Sequence, residues 1–178
     1  PEMNTAWYAW GGTVNGNSAA EFRKAWKHVR KVVKAAGGGK VRLLWSPYAR
    51  SVPDKPGNAI ADYFPGKADV DLVGASGYNF GAMRDLAWSD PLTLFQGAYA
   101  TIEGLAAKPF WLAETGSTAR GGDKAGFISA LGTLKNTLPK LAGLVWYDVS
   151  EPLGDFRIAQ TRTTASAFKA LAAARGCR

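Results

Sequence analysis

"KPFWLAETGS", residues 108–117, is the stretch on which the fold turns. Phe110, Trp111, Leu112 and Ala113 make an apolar run between Lys108-Pro109 and Thr115-Gly116-Ser117. It is too short for a helix and does not alternate. That is the pattern of a strand buried on both faces. Glu114 closes the run. A carboxylate placed where a buried strand gives way to a loop costs desolvation unless it has partners or a use.

The same form recurs on either side of it. "KVRLLWSPY" (40–48), "VDLVGASGYNF" (70–80) and "LAGLVWYDVS" (141–150) are near-continuous apolar runs with polar ends. Helical signals separate them. Ser18-Ala19-Ala20-Glu21 is a capping-box pattern that starts a first helix, and Gly37-Gly38-Gly39 stops it. A loop rich in Pro and Gly runs to about Gly66. Leu94, Ala98, Ile102 and Leu105 space a helix over Pro91–Ala107. Further helices are expected over Lys124–Leu138 and Thr163–Ala174. Helix and strand therefore alternate from end to end, which predicts an α/β fold with a parallel sheet covered by helices. The residues with chemistry on them, Tyr78, Glu114, Trp146 and Asp148, stand at the C-terminal ends of the runs. Both barrels and open sheets place their sites there. No G-x-G-x-x-G or Walker pattern follows a strand, and Gly121-Gly122 lacks the spacing, so nucleotide binding is not expected.

Composition narrows the class. With 178 residues, 47% apolar content and 12% aromatics, the chain suits one domain spanning 1–178. No window approaches the roughly 18 apolar residues of a membrane span, and no signal peptide is visible. Cys177 is the one cysteine, which rules out an internal disulfide or a cysteine-rich metal site. The net charge of +8 raises the question of nucleic acid. Much of it, however, sits in Arg23, Lys24, Lys27, Arg30, Lys31 and Lys34, opposite Phe22, Trp26, Val29 and Val33 at helical spacing. That reads as the solvated face of an amphipathic helix, and no nucleic-acid partner is expected. His28 in the same helix has no Cys or acid at ligand spacing and reads as a surface residue, so no metal is expected.

Glu2 is the second acid of interest. It precedes the first helix, and if Pro1 ends a strand, Glu2 occupies the same layer as Glu114. Two carboxylates across a barrel mouth can divide roles, one protonated as general acid and one ionised as nucleophile or base. Trp7, Tyr8, Trp10, Trp45, Tyr78 and Trp146 accompany them. Sugar rings stack apolar faces on indoles, so two acids with a tryptophan-rich mouth point to carbohydrate. Any one of these tryptophans read alone is a core residue, and a lone strand-end Glu is a salt-bridge acceptor. The set carries the reading.

"PEMNTAWYAW", "VRLLWSPY", "YFPGKADVDLVGASGYNF", "KPFWLAETGS" and "DFRI" follow one another in that order. Together they resemble the second half of a glycoside hydrolase family 26 enzyme, a family best known for endo-β-1,4-mannanases. The resemblance runs through essentially the whole chain. It implies a (β/α)8 TIM barrel, of which this chain would hold the end of strand four through helix eight. It implies a retaining β-glycanase, favouring β-mannan, with no cofactor. The general acid/base would be Glu2, from the "HEMN"-like motif, and the nucleophile Glu114, from the "AETG"-like motif. Tyr78 would hydrogen-bond the nucleophile, Trp146 would be a stacking platform at the cleavage subsite, and Trp7 a further sugar contact. The retaining mechanism predicts carboxyl groups about 5–5.5 Å apart. Pro1 stands where the family usually has His, and Tyr48 where it often has Asn. Mixed-linkage β-glucan and β-xylan therefore stay open as substrates. A polymeric substrate implies secretion. A complete barrel takes about 250 residues, so the first strands are expected to be absent or supplied by another chain. In their absence, open strand edges would make the chain a non-catalytic fragment.

Overall fold

The computed structural model describes residues 1–82 and 87–174; Cys177 lies outside them. Its framework is a parallel sheet of β1 (Leu44–Trp45), β2 (Leu72–Asn79), β3 (Phe110–Ser117) and β4 (Leu141–Trp146), in that spatial order. Helix α1 (Ala19–Ala35) precedes β1, while α2 (Pro91–Leu105), α3 (Lys124–Thr133) and α4 (Arg162–Ala174) follow β2, β3 and β4. This α/β succession of sequential parallel strands and crossover helices is the construction of a (β/α)8 barrel, here with four of its strands. A small antiparallel hairpin, β5 (Ser150–Glu151) with β6 (Gly154–Asp155), follows β4.

The chain start continues the sheet beyond β1. Glu2 N donates to Ser46 O at 2.9 Å, Val52 N donates to Asn4 O at 2.9 Å, and Thr5 bridges Val52 in parallel sense. Asn4 fastens this edge with its side chain, donating to Tyr48 O at 3.0 Å and accepting from Tyr48 N at 2.8 Å. Glu2 thus enters the same layer as the ends of the strands.

The core lies between sheet and helices. Val73, Ala75, Phe110 and Leu112 from the strands cluster with Phe95 and Ile102 of α2 and Phe127, Ile128 and Leu131 of α3. Each fully buried large side chain in this layer contributes about 1.5–3 kcal/mol. Gly77 also faces the helices, since a Cβ there would come within 3.1 Å of the Phe95 ring.

One irregularity decides what the sheet presents. Ala75 pairs Leu112, but the next residue, Ser76, pairs Glu114. Ala113 is the extra residue of a bulge. Side chains in a strand alternate between faces, and a bulge resets the alternation. Leu112 and Thr115 therefore both face the helices, while Glu114 joins Ser76 and Tyr78 on the inner face. The same bulge carries into the next pairing, where Leu112 matches Leu144 and Thr115 matches Trp146.

Two expectations are corrected here. The solvated face foreseen for α1 is partly engaged. Arg30 makes a two-pronged bond to Asp71 at 2.7 and 3.0 Å, Arg23 donates to Asp62 O, and Lys27 sits 3.6 Å from Asp69. Val29, expected on the buried side, is exposed, while Ala19, Phe22 and Trp26 pack against the core. The helix start and stop are as read. Ser18 Oγ accepts from Glu21 N at 3.2 Å and donates to Glu21 Oε2 at 2.9 Å. At the other end Gly37 takes φ 82°, with Gly38 N bonded to Val33 O and Gly37 N to Lys34 O, a Schellman closure.

Candidate active site

Glu114 emerges half-buried from β3 on the inner face. The Tyr78 hydroxyl from the neighbouring strand faces its carboxylate, and the phenol can only act toward it as a donor. Burial pushes the Glu114 carboxyl above its ordinary value. The Tyr78 bond pulls it back, and the charge of Glu2 pushes it up again. Burial first, then the negative charges of Glu114 and Glu2, hold the Tyr78 phenol far above its usual range. Tyr78 is thus a permanent donor facing two carboxylates.

Glu2 reaches the same place from the opposite side and is 4% exposed. Its φ of 55° lies in the left-handed region, costly for a residue with a side chain, on the order of 1 kcal/mol. The surroundings hold it there: Glu2 O accepts from Thr5 N and from Thr5 Oγ1 at 2.7 Å. Trp7 Nε1 donates to Glu2 Oε2 at 2.8 Å, whereas Oε1 is buried with no partner among the described residues. One carboxylate oxygen is anchored and the other is left open. The Trp7 ring meets Tyr48 edge-on at 5.0 Å, which fixes the indole.

Both carboxylates line a cavity of about 590 Å³. Trp7, Tyr8, Tyr48, Tyr78 and Phe80 supply aromatic walls, and Tyr147, Glu151 and Leu153 close the side beyond β4. Arg50 is its one cationic lining residue among the described residues. Of the five residues expected from the sequence, the structure brings Glu2, Glu114, Trp7 and Tyr78 together here. Trp146 is a correction. It is paired with Thr115, so its ring points to the helix side, edge-on to Phe127 at 6.2 Å and Phe168 at 5.9 Å, with Nε1 donating to Phe156 O at 2.8 Å. The next residue, Tyr147, occupies the cavity wall instead. Nothing in the composition of "LVWYDV" distinguishes the two rings; the bulge does. Glu151 was missed because its hairpin is only two residues a side. The turn-forming "EPLGD" of 151–155 was the available signal.

The wall beyond β4 is braced from behind. Lys124, 2% exposed, donates to Asp155 O at 3.0 Å, Arg157 O at 2.8 Å and Gln160 Oε1 at 3.2 Å. Phe156, held in that segment, packs edge-on to Tyr78 at 5.8 Å and to Tyr147 at 5.7 Å.

No family model and no curated protein matches the sequence. Solved structures do match the fold. A Bacillus subtilis mannanase, BCman, aligns at 26% identity and TM-score 0.58 over 94% of this chain and 44% of its own. The catalytic domain of a Bacillus sp. JAMB-750 family 26 endo-β-1,4-mannanase aligns at 18% identity and TM-score 0.69, over 97% of this chain and 48% of its own. Family 26 mannanases are structural neighbours of this chain. The chain spans less than half the length of either mannanase. A family 128 endo-β-1,3-glucanase of Amycolatopsis mediterranei shares the fold at 20% identity and TM-score 0.55, over 88% of this chain and 66% of its own. These neighbours are all glycoside hydrolases. No helix among the described residues is long and apolar enough to cross a membrane.

Proposed function

We propose that this chain carries the catalytic carboxylates of a retaining endo-β-glycanase whose substrate is a β-1,4-mannan-type polysaccharide. The observation that supports it is the pair itself: Glu2 and Glu114 front one aromatic-walled cavity, each tethered by a different donor. Glu114 attacks the anomeric carbon while Glu2 Oε1 gives its proton to the departing glycosidic oxygen. A glycosyl ester forms on Glu114. Glu2 then takes a proton from water, the water oxygen attacks the same carbon, and the sugar leaves with its configuration retained. Tyr78 stabilises the ionised nucleophile, and Trp7 orients Glu2 and offers a ring to the sugar beside it. The enzyme acts outside the cell, where such polymers are found.

Reducing-sugar release from galactomannan, mixed-linkage glucan and xylan tests the reading. Release from galactomannan, abolished in both Glu2→Gln and Glu114→Gln, is expected. Release that survives both substitutions would remove the assignment, and preference for another polymer would replace mannan. A 2-deoxy-2-fluoro-mannosyl fluoride should leave a glycosyl adduct on the Glu114 peptide by mass spectrometry; an inverted product would rule out the covalent route.

A further inference from the structure

Three aromatic side chains follow Glu2 within eight residues and stay open to solvent: Trp7 at 49%, Tyr8 at 37% and Trp10 at 51%. The backbone that carries them is firmly held. Asn15 Nδ2 and Asn17 Nδ2 both donate to Ala9 O, at 3.1 and 2.9 Å, and Asn17 Nδ2 also reaches Gly11 O at 3.1 Å. Gly11 N bonds Tyr8 O and Gly12 N bonds Met3 O, each at 2.9 Å. Gly11 is pressed so close that a Cβ would lie 2.1 Å from Thr5 O. Trp10 Nε1 donates to Pro1 O at 3.2 Å, which orients the indole itself. Ordering a loop costs conformational entropy, and exposed apolar rings return nothing to the chain's own stability. Rigid, outward aromatics are the form of a prepared binding surface.

Tyr8 and Trp10 stack on each other with centroids 4.4 Å apart and planes 8° from parallel. Tyr8 lines the cavity and Trp10 stands just outside its lining. The pair therefore continues the cavity outward along the segment that begins at Glu2. Trp7, bonded to the Glu2 carboxylate, is the inner member of the same row.

We propose that the Tyr8–Trp10 stack is a distal sugar-binding site that holds the leaving-group end of a β-linked hexopyranose chain. The assignment of side rests on Glu2 as the acid/base. The group that protonates the departing oxygen faces the part of the glycan that departs, so a platform running away from Glu2 lies under that part. A hexopyranose ring presents a face of C–H bonds to an aromatic plane, and successive rings of a β-linked chain reach from the cavity to an outer platform.

The test measures binding of β-1,4-mannotriose and β-1,4-mannohexaose by calorimetry in the Glu114→Gln protein, with Trp10→Ala, Tyr8→Ala and Trp10→Phe added in turn. Mannohexaose is expected to bind more tightly than mannotriose. The ratio of the two Kd values should shrink by about tenfold in Trp10→Ala and Tyr8→Ala and recover in Trp10→Phe. A ratio that stays at its starting value overturns the site. So does an equal loss for both lengths, which would make the stack a prop for Trp7. If the starting protein binds neither mannan oligosaccharide, the mannan-directed reading falls together with this one. If it binds both mannan lengths and the variants match it, only the distal site falls.

Discussion

Burial raises the Glu114 carboxyl and the Tyr78 hydroxyl draws it back down. Tyr78→Phe removes the opposing pull. The acid limb of kcat/KM should then move to higher pH, because the proposed nucleophile must be ionised to attack. Loss of a charge-assisted bond of about 1.5–3 kcal/mol sets the fall in rate at roughly ten- to hundredfold. A pH–rate profile identical to that of the parent would show that the phenol does not act on this carboxylate. The same raised value has a thermal signature. A carboxyl whose folded value lies above its unfolded one favours the folded state below the unfolded value, and that contribution is lost as pH rises through the folded value. Glu114→Gln should therefore raise Tm near pH 7 and leave it level with the parent near pH 4. The carboxylate would thus be kept at a cost in stability, as active-site groups often are.

At the level of elements, α1 is clipped to the rest by charge as much as by packing. Arg30 and the Leu43 N–H hold the Asp71 carboxyl well below the usual carboxylate range. Its stabilisation is present above the ordinary Asp value and fades only as pH falls through the lower folded one. Asp71→Ala should cost about 1–2 kcal/mol. In a protein of this size that lowers Tm by about 2–8 °C, which calorimetry at pH 7 will read. Lys124→Met strands three acceptors in the segment behind the cavity wall. A loss of about 2–4 kcal/mol is expected, with faster limited proteolysis between β4 and α4. Cleavage confined elsewhere would show that Lys124 is not the brace. These elements also mark how far the sequence could be read. Apolar runs, caps and Gly stops located every strand and helix that carries the sheet, because burial on both faces leaves a compositional trace. "AETG" located Glu114 where the apolar run ends, but β3 continues past it to Ser117 because Thr115, Gly116 and Ser117 go on pairing with β2. The choice of Tyr147 over Trp146 left no such trace, since both are aromatic neighbours and only strand register separates them. The acceptors that capture Arg23, Lys27 and Arg30, one of them a backbone carbonyl, lie about forty residues downstream, beyond any local pattern.

Across the whole molecule, part of the positive charge behind the net +8 is engaged within the fold. Three of the six bases on α1 are spent on the 62–71 segment. Association with duplex DNA should be weak and should vanish steeply as salt is raised, with no dependence on sequence. A filter-binding series that held its affinity at 200 mM salt would contradict this. The bulge at Ala113 has a wider consequence. It sets the direction of Glu114 by pairing, not by the identity of its neighbours. Leu112 and Glu114 are two residues apart, and in a regular strand such residues share a face. Were Ala113 drawn into the ladder, Glu114 would turn with Leu112 into the greasy layer under the helices, with every letter of the sequence unchanged. Deleting Ala113 leaves Glu114 opposite Ser76, so a chain one residue shorter is expected to keep its carboxylate on the inner face.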